Sequence, residues 1–476
     1  MLNQLFKIRN ILMWIAVTII TQNSVALAGD DILRAAVPPQ AIEYILVINM
    51  ENEDYGTTFG PTSPATYLNT TLLKEGQLIP NYFATSHVSL GNYISQISGQ
   101  APTVSINNDC LNLASLTHPP LVGGFNDIMP GTDADPKLFP GQIIGDGCVF
   151  PAPSKIGHGA ITIGDQLDLK PFYERWAVHE LKWRAYAEDM GIDTARDYGD
   201  YDAMGGNDCA HPAVGGTDNT NSASPTDQYA TRHNPFMYFH SIIDDQNRCD
   251  KHVVPLGKVL VGSNGSADSF SGHLYEDLRD LKTTPKFMFV IPNLCNNGHD
   301  ATCAGSNTEG TRDANGKNIG GLAAADLWLK HWMPMIFSSH AYRTGKLLVV
   351  LTFDESGLKD ARACPNQDQT TCNSPTGPNV SNPGFSAILG MYGLQTKPTT
   401  TFVYPGGGQV GAVLFNSRFI APGSVNTTGY YNHYSALRSY EDILGITTGG
   451  DDGLGHIGFA AAPNLKPFGK DVFNLR

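Results

Sequence analysis

The apolar positions of this chain fall into short, nearly continuous runs rather than into strict alternation. Residues 44–48, 286–291 and 347–353 are the clearest, and 387–389 and 413–415 are weaker ones. Unalternated runs of this length predict β-strands covered on both faces, as in parallel sheets. Between them lie stretches with helical spacing: residues 67–75, 90–98, 162–169, 269–281, 323–337 and 434–444. Alternation of the two kinds predicts an α/β fold with a central, mostly parallel sheet flanked by helices. Sheets of that kind hold ligands beyond the carboxyl ends of their strands. The residues just after each strand are therefore the first place to look for chemistry.

The N-terminus departs from this pattern. Lys7 and Arg9 precede an apolar run over residues 11–20, and Ala26-Leu27-Ala28 offers small residues at a cleavage position. The run is shorter than the roughly 20 residues a membrane span needs. Residues 1–28 therefore read as a signal peptide, and 29–476 as a single domain with long loop insertions, exported to the periplasm or the medium. The whole chain has 31 basic and 45 acidic residues, a net charge of −14; without Lys7 and Arg9 the balance is 29 to 45, or −16. Such an acidic surface argues against nucleic acid as a partner.

Export also changes the reading of the eight cysteines. They fall as neighbours, Cys110/Cys148, Cys209/Cys249, Cys295/Cys303 and Cys364/Cys372. Disulfides are the expectation in an oxidising compartment. Neighbour pairing is favoured for the last two pairs, whose loops are short and polar. No C-x-x-C supports a zinc cluster.

Three strand ends carry polar chemistry. Residues 44–48 lead to Glu51-Asn52, 286–291 lead to Asn293 through His299, and 347–353 lead to Asp354-Glu355. One Asp or Asn after a strand is ordinary turn chemistry; three such ends at one sheet edge make a candidate site. Their oxygen atoms, with a histidine, suit Zn, Mg, Mn or Ca. Ser89 adds a nucleophile. It is placed at the N-cap of the helix over 90–98, where free N–H groups and the helix dipole favour an anion. A metal on its hydroxyl would favour the alkoxide. Asn92, one turn further on, is placed to donate to a phosphoryl oxygen.

Taken together, these motifs resemble a known family. The order is Glu51-Asn52, His87-Val88-Ser89-x-x-Asn92-Tyr93 with Gly99, Arg232-His233-Asn234-Pro235, Thr352-Phe353-Asp354-Glu355-Ser356, and Asn432-His433-Tyr434-Ser435. It is similar to the bacterial and fungal phosphoesterases that include acid phosphatases and phospholipases C, within the alkaline-phosphatase-like superfamily. The resemblance implies an alkaline-phosphatase-like fold. It implies that Glu51, Asn52, Ser89, Asp354 and Glu355 hold a divalent metal, expected to be Zn. It also implies that Ser89 forms a phosphoseryl intermediate. Val88 and Gly91 stand where family members often have proline. Cys295 stands where two-metal relatives have an aspartate, so His299 and His433 are read as contacts to phosphate or as proton donors to the leaving oxygen.

The expected function is that of a secreted, metal-dependent phosphoester hydrolase. The first substrate reading is a phospholipase C releasing diacylglycerol from glycerophospholipids such as phosphatidylcholine, with transient contact at a membrane surface. The alternative is an acid phosphatase acting on small phosphomonoesters. A sulfatase is disfavoured, because Ser89 is not followed by x-Pro-x-Arg. A non-catalytic binding protein is disfavoured because every expected catalytic position carries a usable residue. Phe172, Tyr173, Trp176 and Trp183 are candidates for an apolar lip, although aromatic clusters are more often core.

Overall fold

A computed structural model describes residues 37, 41–111, 124–131, 138–154, 159–169, 181–192, 198–218, 220, 222–299, 312, 315–357, 377–386, 406–463 and 465–474. The signal-peptide reading, the strand at 387–389, Phe172, Tyr173, Trp176, Cys303, Cys364 and Cys372 lie outside them.

The core is one sheet of eight strands. In chain order they are β1 (Tyr44–Met50), β2 (Gln77–Ile79), β3 (Trp183–Ala187), β4 (Val253–Pro255), β5 (Phe287–Ile291), β6 (Leu347–Phe353), β7 (Ala412–Phe415) and β8 (Ser424–Val425). Their spatial order is β8-β2-β7-β6-β1-β5-β3-β4. β1 pairs in parallel with both β5 and β6, β3 pairs in parallel with β5 and β4, and β8 with β2. β7 runs against both of its neighbours. Every residue of β1 and β6 is buried, which is why their sequences show no polar alternation. The expected α/β sheet is present.

The helices that matter here are α1 (Ser89–Ser98), α2 (Ile163–Asp168), α3 (His273–Leu278), α4 (Gly321–Ser338) and α5 (His433–Ile443). Two helical readings need correction. Residues 269–281 begin as a strand, Ala267–Ser271, and turn at Gly272 (φ 98°) before α3 starts. A glycine at positive φ breaks the helical spacing there. Residues 67–75 form a π turn, Leu68–Leu72, followed by the short α-helix Leu73–Glu75. Trp183 is not part of a lip. It lies in β3, fully buried, with its ring stacked on those of Phe236 (4.9 Å) and His252 (4.4 Å). Among the described residues, no helix is long and apolar enough to cross a membrane.

Register sets the site. Met50 pairs with Phe353, so Glu51 and Asp354 leave their strands level with each other. The Asp354 N–H donates to Met50 O (2.9 Å), and the Glu51 N–H donates to Asn297 O (2.9 Å). The ends of β1, β5 and β6 are thus tied into one rim.

Candidate active site

Ser89 is the first residue of α1, not its N-cap. Val88 takes the cap position in extended conformation, and no side chain caps the helix there. The Ser89 hydroxyl is therefore not spent on the helix. It donates to Glu51 Oε2 at 3.1 Å. Glu51 is completely buried. Its Oε1 accepts from the Tyr93 hydroxyl at 2.5 Å, and its Oε2 also accepts from Asn52 Nδ2 at 3.0 Å. Asn52 sits at φ 55°, in the left-handed region. That turn aims its N–H at Asp354 Oδ1, 3.0 Å away.

Four of the five expected metal-binding residues, Glu51, Asn52, Ser89 and Asp354, form one hydrogen-bonded group. The fifth, Glu355, is buried beside them but engages the His87 ring through Oε2. Burial raises the Glu51 carboxyl well above the usual range, and the Asp354 charge adds to this. Asp354 is raised in the same way by burial and then by Glu355. Its Oδ2 is buried without a hydrogen-bond partner. Facing buried carboxylates with an orphaned oxygen are costly unless a cation neutralises them. A divalent cation fits this donor set on those grounds.

The residues read as reacting groups are placed differently. Both hydrogens of the Asn92 amide are engaged, by Ser86 O (2.8 Å) and Val88 O (3.2 Å). Its Oδ1 accepts the N–H groups of Thr85 (2.8 Å) and Ser86 (2.9 Å). Asn92 thus braces the turn that delivers Ser89. Gly91 has a related role, because a Cβ there would lie 2.3 Å from Ser86 Oγ. His433 is fully buried at the start of α5. Its Nε2 donates to Asp354 O (2.7 Å), and its Nδ1 accepts from the Tyr82 hydroxyl (3.2 Å). Burial lowers its pKa to about 4, so it is a neutral support for the end of β6. His299 is half-buried on the β5 loop, with its N–H on Asn297 Oδ1 (2.8 Å) and its ring 6.1 Å from that of His233.

Four residues outside the expected set belong here. His233 Nε2 lies 3.4 Å from Glu51 Oε1, and its ring stacks on Tyr93 at 5.4 Å. Arg232 Nε lies 3.5 Å from Asp109 Oδ2, with both side chains buried. Asp109 Oδ1 accepts the N–H of Leu90, next to Ser89, at 2.9 Å. The polar Arg232-His233-Asn234 cluster before an apolar run was the available signal for the first two. Nothing local marks Asp109.

No family model matches the chain. Over 296 residues it is 24% identical to the phosphate-repressible acid phosphatase of Penicillium chrysogenum, covering 62% of this chain and 44% of that one. Over 286 residues it is 20% identical to an acid phosphatase of Aspergillus fumigatus, covering 60% of this chain and 40% of that one. The chain is similar to fungal acid phosphatases. The matched stretch spans less than half the length of either relative. Among solved structures, an alkaline phosphatase superfamily protein from Vibrio parahaemolyticus aligns with a TM-score of 0.39 and 10% identity, over 87% of this chain and 68% of that one. The relatives agree with the phosphoesterase resemblance carried by the motifs.

Proposed function

We propose that this chain is an exported, metal-dependent phosphoester hydrolase of the acid-phosphatase type, with Ser89 as its nucleophile. The observation that carries the reading is the uncapped Ser89 hydroxyl at the first position of α1, held against Glu51 at the rim that also presents Asp354. A helix N-terminus favours an incoming phosphoryl anion.

In the first half-reaction the Ser89 Oγ–P bond forms as the bond from phosphorus to the leaving oxygen breaks. The Ser89 proton is directed at Glu51 Oε2, and His299 supplies a proton to the leaving oxygen. In the second half, the water oxygen bonds phosphorus as its proton passes to His299, and Ser89 Oγ leaves and takes back its proton from Glu51. Glu51, Asn52, Ser89 and Asp354 would hold the cation, with Glu355 supporting them through His87. When bound, the ion supplies Lewis-acid stabilisation of the serine oxygen and the phosphoryl oxygens.

Small phosphomonoesters are the favoured substrates. The matched relatives are named acid phosphatases, and Trp183, one candidate for a lipid-binding lip, is in the core. The test compares p-nitrophenyl phosphate with phosphatidylcholine for the purified protein. Zn²⁺, Mn²⁺, Mg²⁺ and Ca²⁺ are added back separately after chelation. Monoester hydrolysis should vanish with chelator, and Ser89→Ala should lower it by a factor on the order of 10³ or more. Release of diacylglycerol alone would make the chain a phospholipase C. Full activity in Ser89→Ala would remove the nucleophile from the reading.

A further inference from the structure

Away from the active site, Asp202, Asp208 and His273 bring two carboxylate oxygens and an imidazole nitrogen within 4.8 Å of one another. They come from two elements. Asp202 and Asp208 belong to the hairpin formed by strands Tyr198–Tyr201 and Asn207–His211, and His273 opens α3. We propose that these three residues bind a divalent cation of the Zn²⁺ or Mn²⁺ class and fasten the hairpin to α3.

Three observations support the site. His273 Nε2 points at Asp202 Oδ2, 2.5 Å away, so the imidazole is already aimed into the cluster. Asp208 Oδ1 is shielded from solvent and has no hydrogen-bond partner. Such an oxygen is costly to bury unless something positive reaches it. The register of the hairpin also sets Asp208 directly opposite Asp200, a like-charge pair that weakens an antiparallel ladder. Arg184, the guanidinium beside the cluster, is committed to Asp277 at 2.9 Å. It stands 3.4 Å from His273 Nδ1.

The geometry also explains the placement of a disulfide. Cys209 follows Asp208, Cys249 precedes Asp250, and the two cysteines are bonded. Asp250 is itself pushed upward by burial and then by Asp200. The crosslink therefore holds four aspartates together, an arrangement that a divalent cation would stabilise. One imidazole with carboxylates selects a transition metal over Ca²⁺ or Mg²⁺.

The test measures zinc and manganese per chain by elemental analysis after chelation, reloading and gel filtration. The proteins are the wild type, His273→Ala and Asp208→Asn, each made with Asp354 intact for the activity readout and again with Asp354→Asn to remove the active-site ion. Wild type should hold one equivalent more than either variant in both backgrounds. Zn²⁺ should raise its melting temperature more than theirs. Both variants should keep hydrolysis of p-nitrophenyl phosphate, so a failure here is distinct from a failure of the proposed activity. Asp208→Asn keeps the side-chain shape, and circular dichroism reports whether each variant folds. Equal metal content in wild type and a folded variant would overturn the site.

Discussion

Tyr93 shows how a residue one turn along α1 can govern chemistry at its start. Its hydroxyl gives Glu51 Oε1 a 2.5 Å hydrogen bond, and its ring stacks on His233 with an 11° interplanar angle. Burial, and then the Glu51 charge, push the phenol well above its usual range, so it remains a donor. That donor favours the ionised form of Glu51, against the burial that disfavours it. Tyr93→Phe keeps the stack and removes the bond. A hydrogen bond to a charged group contributes about 1.5–3 kcal/mol. Affinity for the proposed cation should therefore fall about tenfold to a hundredfold, as read by metal titration. Unchanged affinity would reduce Tyr93 to a packing residue. Glu51, Asn52, Asp354 and Glu355 were legible in the sequence because each follows an apolar run. The support roles of Asn92 and His433 were not, because their partners, such as Ser86 O and Asp354 O, are main-chain groups set by the turn and by distant strands. Tyr93, Arg232 and His233 stood in the motifs without a role, because their partners, Glu51 and Asp109, are side chains far away in sequence, and nothing local marks Asp109.

At the scale of elements, β1, β5, β6 and β7 and the helices α1, α2, α4 and α5 were legible from their spacing alone, whereas β3, interrupted by Arg184, was not. The short strands β2, β4 and β8 have two or three residues each and leave no periodic signal. α1 is the element on which the site depends, and its far end can be tested separately. Gly99 closes the helix at φ 67°, and its N–H donates to Ser95 O (3.2 Å). A Cβ at this position would lie 2.4 Å from Ile457 O. Only glycine suits both the left-handed conformation and the contact. Gly99→Ala should cost about 1–3 kcal/mol, read as a lower urea midpoint. Ser89, the proposed reacting residue, lies about 15 Å away along the helix axis, so turnover per folded molecule should hold. An unchanged midpoint would show that the loop containing Ile457 yields without cost.

Across the whole molecule, export, acidity and disulfide bonding belong to one reading. Cys110–Cys148 and Cys209–Cys249 are bonded as sequence neighbours. Cys295 is bonded too, and its partner lies outside the described residues. The two described bonds span similar separations, 38 and 40 residues. Chain entropy alone gives each about 4 kcal/mol, so removal of either should lower the melting temperature by a similar amount. Their effects on function should differ. Cys110 directly follows Asp109, whose carboxylate holds the Leu90 N–H beside Ser89 and faces Arg232. Loosening that loop releases a group packed beside Ser89. Cys209 instead anchors the hairpin that carries Asp208, on separate elements from Ser89. Cys110→Ser with Cys148→Ser should therefore lower both the melting temperature and kcat/KM. Cys209→Ser with Cys249→Ser should lower the melting temperature and leave kcat/KM within about twofold, the margin expected of distant, independent sites. Equal kinetic losses from both pairs would mean that the disulfides act on the fold as a whole, and that Asp109 does not depend on its neighbouring crosslink.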